Sequence, residues 1–355
     1  MSAAQGGGPQ PCAVQAGAAD QALAAVGVHR VPVPVPFVEA GGPANVYLIE
    51  EEGGGLALFD AGLGSAEGGA ALRQGFAALG RSLSEVRRIF VSHGHVDHYG
   101  YARAAQEESS AAVFCHVRDR DKLTWRDRSP ERLERFALYL HRLGAPEELL
   151  ASVRDSAREI ARYARPLEQV EELREGERLR FARFTAEVLH LPGHTPGLVC
   201  LWDPEHSLLF SDDHLLERVS PNPLLDLEEG PGEDGRPRHR ALVEYLRSAA
   251  RARALPAKLV APGHGEPFPD HTEVIDRLLG FYARRQQRIL QLLSEGAKTA
   301  AELAPLVFPR AKPSQLYLVL SEVVGNLEVL EDRGEVERSE RSGRWIFSPA
   351  AAASR

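Results

Sequence analysis

The stretch V-R-R-I-F-V-S-H-G-H-V-D-H, residues 86–98, decides the reading of this chain. Its first seven residues form a short run rich in β-branched and aromatic side chains, the pattern of a buried strand. Its last six place His93, His95, Asp97 and His98 at the C-terminal rim of that strand. Imidazoles and carboxylates are costly to bury without partners, so four of them in six residues are not ordinary core. Their spacing points to a bound cation, since imidazole is a preferred ligand for transition metals.

Working outward, three isolated residues repeat the placement. His194 lies in LPGHTPG, Asp213 in LFSDDHLL and His264 in APGHGEP, each just after an apolar run. The neighbouring glycines and prolines let the backbone turn sharply there, aiming each side chain back at the sheet edge. Five histidines and two aspartates are enough ligands for two divalent cations. Nitrogen and oxygen ligands without thiolate suit catalytic zinc, with iron or manganese as alternatives.

The rest of the chain supplies the frame. VHRVPVPVPF (28–37) carries prolines that restrict it to an edge strand, and NVYLI (45–49) and LALFD (56–60) flank a glycine turn as a hairpin. A helix is expected over 66–79, a strand at 112–116, and two helices over 130–164 broken at Gly144–Pro146. RLRFARF (178–184), AEVLHLP (186–192), LVCLWD (198–203), SLLFSD (207–212) and AKLVAP (257–262) read as a second run of strands, with helices over 237–254 and 270–294. The fold class expected is mixed α/β, a two-layered sheet covered by helices on both outer faces.

Three units follow from the texture. Residues 1–25, rich in Ala, Gly and Gln, read as a flexible tail, and 26–282 as the catalytic unit. Residues 283–355 read as three short helices and a hairpin turning at Ser342–Gly343, a winged-helix pattern. Its third helix, 314–332, carries Glu322, Glu328, Glu331 and Asp332 and no Lys or Arg, so phosphate would repel it. The net charge of -8 likewise argues against a nucleic-acid partner. No apolar run is long enough for a membrane span. With three cysteines and no basic, apolar leader in the first twenty residues, a reducing cytoplasm is expected.

The string His93-Gly94-His95-Val96-Asp97-His98 resembles the HxHxDH signature of the metallo-beta-lactamase superfamily, and His194, Asp213 and His264 resemble its later motifs in order and context. The resemblance spans roughly residues 28–282 and implies an αβ/βα sandwich. It implies that His93, His95 and His194 hold one metal, that Asp97, His98 and His264 hold a second, and that Asp213 bridges them. Asp60, in LFDAG, would support the site from behind. One departure is Asp212-Asp213, where the family usually has Gly-Asp. The following HLL favours Asp213 as the bridge, with Asp212 as competitor. His95 stands where flavin-linked di-iron relatives carry glutamate, and no flavodoxin-like module follows, which favours hydrolysis.

The implied mechanism is attack by a hydroxide shared between two cations about 3.5–4 Å apart, with Asp97 orienting it as the catalytic residue. A small ester, an acyl thioester or lactone, is the expected substrate. A single-stranded RNA phosphodiesterase and a mono-iron persulfide dioxygenase are the alternatives. His214, beside the bridge, reads as a supporting or structural residue with substrate contact as the alternative, and Tyr99 either lines the pocket or packs at the start of a helix. The 130–164 helices and the loop Ser220–Gly230 are candidates for the pocket wall, and arginines within 118–135 for acyl-CoA phosphates. A similar C-terminal winged-helix unit occurs in a subset of the superfamily, which implies a packing or homodimer role for it here.

Overall fold

The computed structural model describes residues 17–37, 41–226 and 239–350. The first half builds one sheet and its cover. In chain order it runs α1 (Ala18–Ala25), β1 (Val28–Val33), β2 (Ala44–Glu50), β3 (Leu56–Phe59), α2 (Ala66–Ala78), β4 (Val86–Phe90), α3 (Val96–Tyr99), α4 (Ala102–Ser109), β5 (Ala112–Cys115), α5 (Val117–Thr124), α6 (Pro130–Arg142), α7 (Glu147–Ile160) and β6 (Glu171–Glu172). The six strands lie in sequence order, with β1 at the edge as its prolines require. β1, β2 and β3 are antiparallel, and β3 through β6 are parallel.

The second half repeats the plan: β7 (Arg178–Arg180), β8 (Thr185–His190), β9 (Val199–Asp203), β10 (Leu208–Asp212), α8 (Ala241–Arg253) and β11 (Leu259–Pro262). Its sheet has the order β11-β10-β9-β8-β7, parallel only between β10 and β11. Alternation along the strands explains the layering. In β2, Tyr47 and Ile49 face the second sheet, where they meet Val188, Leu201 and Phe210. Val46 and Leu48 face outward under Leu72 and Phe76 of α2. In β10, Leu209 turns the other way, towards Tyr245 of α8.

α9 (His271–Ser294), α10 (Ala300–Val307), α11 (Leu316–Asp332), β12 (Val336–Arg341) and β13 (Arg344–Pro349) complete the chain. Two expectations need correction. Residues 18–25 are not tail. Leu23 of α1 is fully buried, and Asp20 accepts two hydrogen bonds from Arg30, at 2.9 and 3.0 Å. The boundary drawn between 282 and 283 falls inside α9, which runs unbroken through Gly280 to Ser294 with no proline to stop it.

The C-terminal elements share a core with the α6–α7 insert. Tyr139, Leu140, Leu143 and Leu149 pack with Ile289, Leu303, Val323, Leu327 and Trp345. Tyr139 meets Trp345 edge to face, their ring centroids 5.4 Å apart. The apolar face of the insert is thus spent on α9–α11, and residues 319–330 of α11 are buried throughout. Of the Ser220–Gly230 loop, residues 227–230 lie outside the described ones.

Candidate metal centre

The ends of five strands converge on one rim. Asp60 follows β3, His93–His98 follow β4, His194 follows β8, Asp212–Asp213 close β10 and His264 follows β11. Two contacts between the sheets hold the rim closed: Val199 N donates to Ser92 O at 2.9 Å, and Asn45 N donates to Gly263 O at 2.7 Å. Asp60 and Asp212 both stand in the left-handed region, with φ of 63° and 46°. Aspartate tolerates that region better than most side chains.

The structure brings His93, His95 and His194 into one group and Asp97, His98 and His264 into another. Asp213 and Asp212 join His93 and His98 in a third group that overlaps both. His95 Nδ1 lies 3.0 Å from His93 Nε2 and 2.9 Å from His194 Nε2. The far nitrogens fix the tautomers. His194 Nδ1 donates to the carbonyl of Asn222 (3.1 Å), and His93 Nδ1 faces Asp212 Oδ1 (3.1 Å). Both Nε2 atoms therefore present lone pairs, and one proton on His95 Nδ1 cannot satisfy two of them. A cation with bonds of about 2 Å to each nitrogen resolves the conflict.

The second group argues the same way. His264 Nδ1 donates to the carbonyls of Pro43 and Gly42, at 3.1 and 3.2 Å, and His98 Nδ1 bonds Asp60 Oδ2 at 2.9 Å. Their Nε2 atoms turn to the carboxylates. His264 Nε2 is 3.4 Å from Asp97 Oδ2 and 3.7 Å from Asp213 Oδ1, and His98 Nε2 is 3.6 Å from Asp213 Oδ2. His98 Nε2 and Asp213 Oδ1 are buried without a hydrogen bond, as is Asp212 Oδ2, and the first two stand where a cation could be their partner. Asp213 Oδ2 also lies 3.4 Å from His194 Nε2, so one carboxylate faces both groups.

Asp212 has a different job. Its oxygens meet His93 Nδ1 and His98 Nδ1 (3.5 Å), the sides turned away from the ligand atoms. Asp60 works beside it, accepting from Ser92 N (2.8 Å), Ser92 Oγ and His98. Carboxylates behind imidazoles orient the rings and make them better ligands.

For His194 and His95 the protonation states agree with ligation. Burial, opposed by the Asp213 charge, holds His194 down to about 4. Burial and the neighbouring His194 and His93 hold His95 well below the usual range. In the second group burial opposes, but Asp213 and Asp97 still raise His264 to about 9. A proton there occupies the place that a cation would take.

Tyr99 and His214 both take the packing alternative. Tyr99 is 3% exposed and packs under α2 and α4, its hydroxyl accepting from Trp125 Nε1 at 3.3 Å. His214 is fully buried against Tyr245, with burial and His194 lowering it to about 3. Two of the arginines in 118–135 are committed to ion pairs, Arg118 with Glu244 and Arg132 with Asp226.

Sequence reasoning missed Asp119. Its Oδ2 accepts from Gly94 N (2.9 Å) and Thr195 Oγ1 (2.6 Å), tying the loop of His93 to that of His194. Nothing in VRDRDKL separates Asp119 from Asp121, so no local signal identifies it.

The Metallo-beta-lactamase superfamily profile matches residues 40–264, more than half of the chain. The chain belongs to the metallo-beta-lactamase superfamily. It is a metal-dependent hydrolase of that fold, with a His/Asp metal-binding cluster where this superfamily typically holds two metals. It is 28% identical to "Probable metallo-hydrolase YqjP" of Bacillus subtilis, over 86% of this chain and 92% of the relative. A crystal structure of the metallo-beta-lactamase family protein TTHA1429 from Thermus thermophilus is 29% identical, with a TM-score of 0.76, and the match covers 91% of this chain and 98% of that one. The hydroxyacylglutathione hydrolase GloC of Haemophilus influenzae is 27% identical over 50% of this chain and 68% of its own. Among the described residues, no helix of this superfamily member is long and apolar enough to cross a membrane.

Removing the cations is expected to lower Tm by several degrees. Ligands that bind only the folded state add about 2.7 kcal/mol at a hundredfold excess over Kd. Calorimetry of chelator-treated protein, with and without added zinc, checks this. Equal Tm values would count against the cluster as a cation site.

Proposed function

We propose that this chain is a binuclear hydrolase of small esters, either acyl thioesters or lactones, with zinc in both sites. One observation carries the reading: the two oxygens of Asp213 face imidazole nitrogens of both ligand groups. In this reading His93, His95 and His194 hold the first cation and Asp97, His98 and His264 the second, with Asp213 between them. Bound cations would supply Lewis acidity towards the ester oxygen and make a water acidic enough to attack near neutral pH.

The protein's own groups do the rest. The side chain of Asp97 is 13% exposed, against 8% for Asp213, 1% for Asp60 and 0% for Asp212. Asp97 is therefore the site carboxylate that solvent reaches best, and it is the group to hold a proton of the attacking water and to orient it. Asp60 and Asp212 keep Nδ1 of His98 and His93 engaged, so that neither ring turns away. No serine or cysteine nucleophile is needed.

The glutathione thioester named in the GloC relative supports the thioester class. A nucleic-acid substrate is disfavoured, because α11, the helix that would enter a groove in a winged-helix-like unit, is buried from Val319 to Leu330. Thiol release from a panel of acyl-CoA and glutathione thioesters tests the proposal, using zinc-loaded protein with Asp97→Ala as control. Turnover that disappears in Asp97→Ala is expected. Turnover unchanged in that variant would show that the site is misplaced. No release from any thioester would move the substrate to lactones, and one iron per chain would move the chemistry to sulfur oxygenation.

A further inference from the structure

We propose that α11 positions the metal ligand His194, acting through the segment Ser220–Asp226. The proposal rests on the two-cation reading above and extends it to a helix that contributes no ligand.

The chain of contacts begins at the ring. His194 Nδ1 donates to the carbonyl of Asn222, which holds the imidazole with Nε2 turned to the cluster. Residues 221–226 have no helix or strand of their own to keep that carbonyl in place. Neighbouring elements hold them instead. Before Asn222, the Tyr282 hydroxyl of α9 donates to Pro221 O at 3.2 Å. After it, Leu225 N donates to Ser321 Oγ at 3.2 Å, and the Tyr317 hydroxyl donates to Leu225 O. Ser321 Oγ passes its own proton to Tyr317 O at 2.8 Å, which leaves its lone pairs free for Leu225. Asp226 then closes the segment on Lys122 (2.5 Å) and Arg132 (2.6 Å).

Tyr317 and Ser321 are one turn apart and lie on one face of α11. Between them they take both backbone groups of Leu225, three residues from Asn222. Without their hydroxyls, Leu225 keeps its apolar contacts but loses what sets its height and rotation. The Asn222 carbonyl, still held by the Tyr282 bond to Pro221 and the Asp226 ion pairs, is then less firmly placed, and the His194 ring is aimed less sharply. Tyr317 and Ser321 are thus positioning residues for the first cation.

The test compares wild type, Tyr317→Phe/Ser321→Ala and Val323→Ala. Val323 is fully buried on the same helix and serves as a packing control. Zinc affinity is measured by competition with a chromophoric chelator, and ligand geometry by the absorption of the cobalt-loaded protein. The double variant is expected to bind its first-site cation a few fold more weakly, less than the roughly tenfold or more seen when a group directly behind a ligand is removed. Its cobalt band should shift while the second cation keeps its affinity. Tyr317→Phe alone, which keeps the ring, should move both readouts in the same direction by less. Val323→Ala should lower Tm and leave affinity and spectrum unchanged.

Wild-type affinity and spectrum in the double variant would overturn the proposal, as would an equal shift in Val323→Ala. Wild type that takes up fewer than two cations would sink the two-cation reading and this proposal with it.

Discussion

Asp213→Ala is expected to hold fewer than two cations per chain and to lose at least about 100-fold in turnover, beyond the effect usual for groups behind a ligand. Asp212→Ala, one residue away, is expected to keep both cations with affinity weakened by about 10–100-fold. The difference follows from which nitrogens each carboxylate meets. Asp213 faces the Nε2 atoms of His98, His194 and His264, the atoms left for metal. Asp212 faces the Nδ1 atoms of His93 and His98, on the opposite sides of those rings. Metal counting by atomic emission after desalting, beside circular dichroism to verify folding, separates the two. Loss of stoichiometry in Asp212→Ala and not in Asp213→Ala would exchange the roles.

Gly263→Ala is the second large effect expected. A methyl group there would stand 2.4 Å from Asp213 Oδ1 and 3.1 Å from His98 Cε1, well inside van der Waals contact. The backbone is tied in place by three hydrogen bonds. Asn45 N donates to Gly263 O (2.7 Å), Asn45 Nδ2 to Pro262 O (2.9 Å) and Tyr47 to Pro262 O (2.8 Å). The carboxylate must yield instead. The cost in stability is expected to be about 1–3 kcal/mol, as for other overpacked sites. Turnover should fall with metal content, and extra zinc should restore only part of it. An active variant with two tightly held cations would show that the rim is softer than these contacts imply.

Much of the site could be read from residue type and place alone. Polar residues after apolar strands stand out against their surroundings, as His93–His98 and His264 do. Asp60 was indicated only by the family resemblance, since an aspartate before a glycine turn also reads as a simple backbone cap. Asp119 and Asn222 were not legible, because their part depends on contacts distant in sequence. Asp119 reaches Thr195, and Asn222 acts through a backbone carbonyl that any residue carries. The strands were legible as short apolar runs, continuous because β2 and β10 are buried on both faces. The start of the fold was not. The Ala-rich α1 looks like tail, yet Leu23, the Asp20–Arg30 pair and a bond from Arg183 to Ala25 O anchor it. The unit boundary at 283 also misled, since α9 serves both halves and its own pattern does not change there.

The sharing of one core between α6–α7 and α9–α11 also bears on how the protein is made. The insert leaves the ribosome with Tyr139, Leu140 and Leu149 still lacking the partners that later bury them. More than a hundred residues must be synthesised before α11 arrives, on the order of ten seconds at about 5–20 residues per second. During that interval the nascent chain displays an apolar helix pair to solvent or to a chaperone. The segment at Asn222 likewise waits for α11, so the nascent enzyme would acquire its metals at the end of synthesis rather than during it.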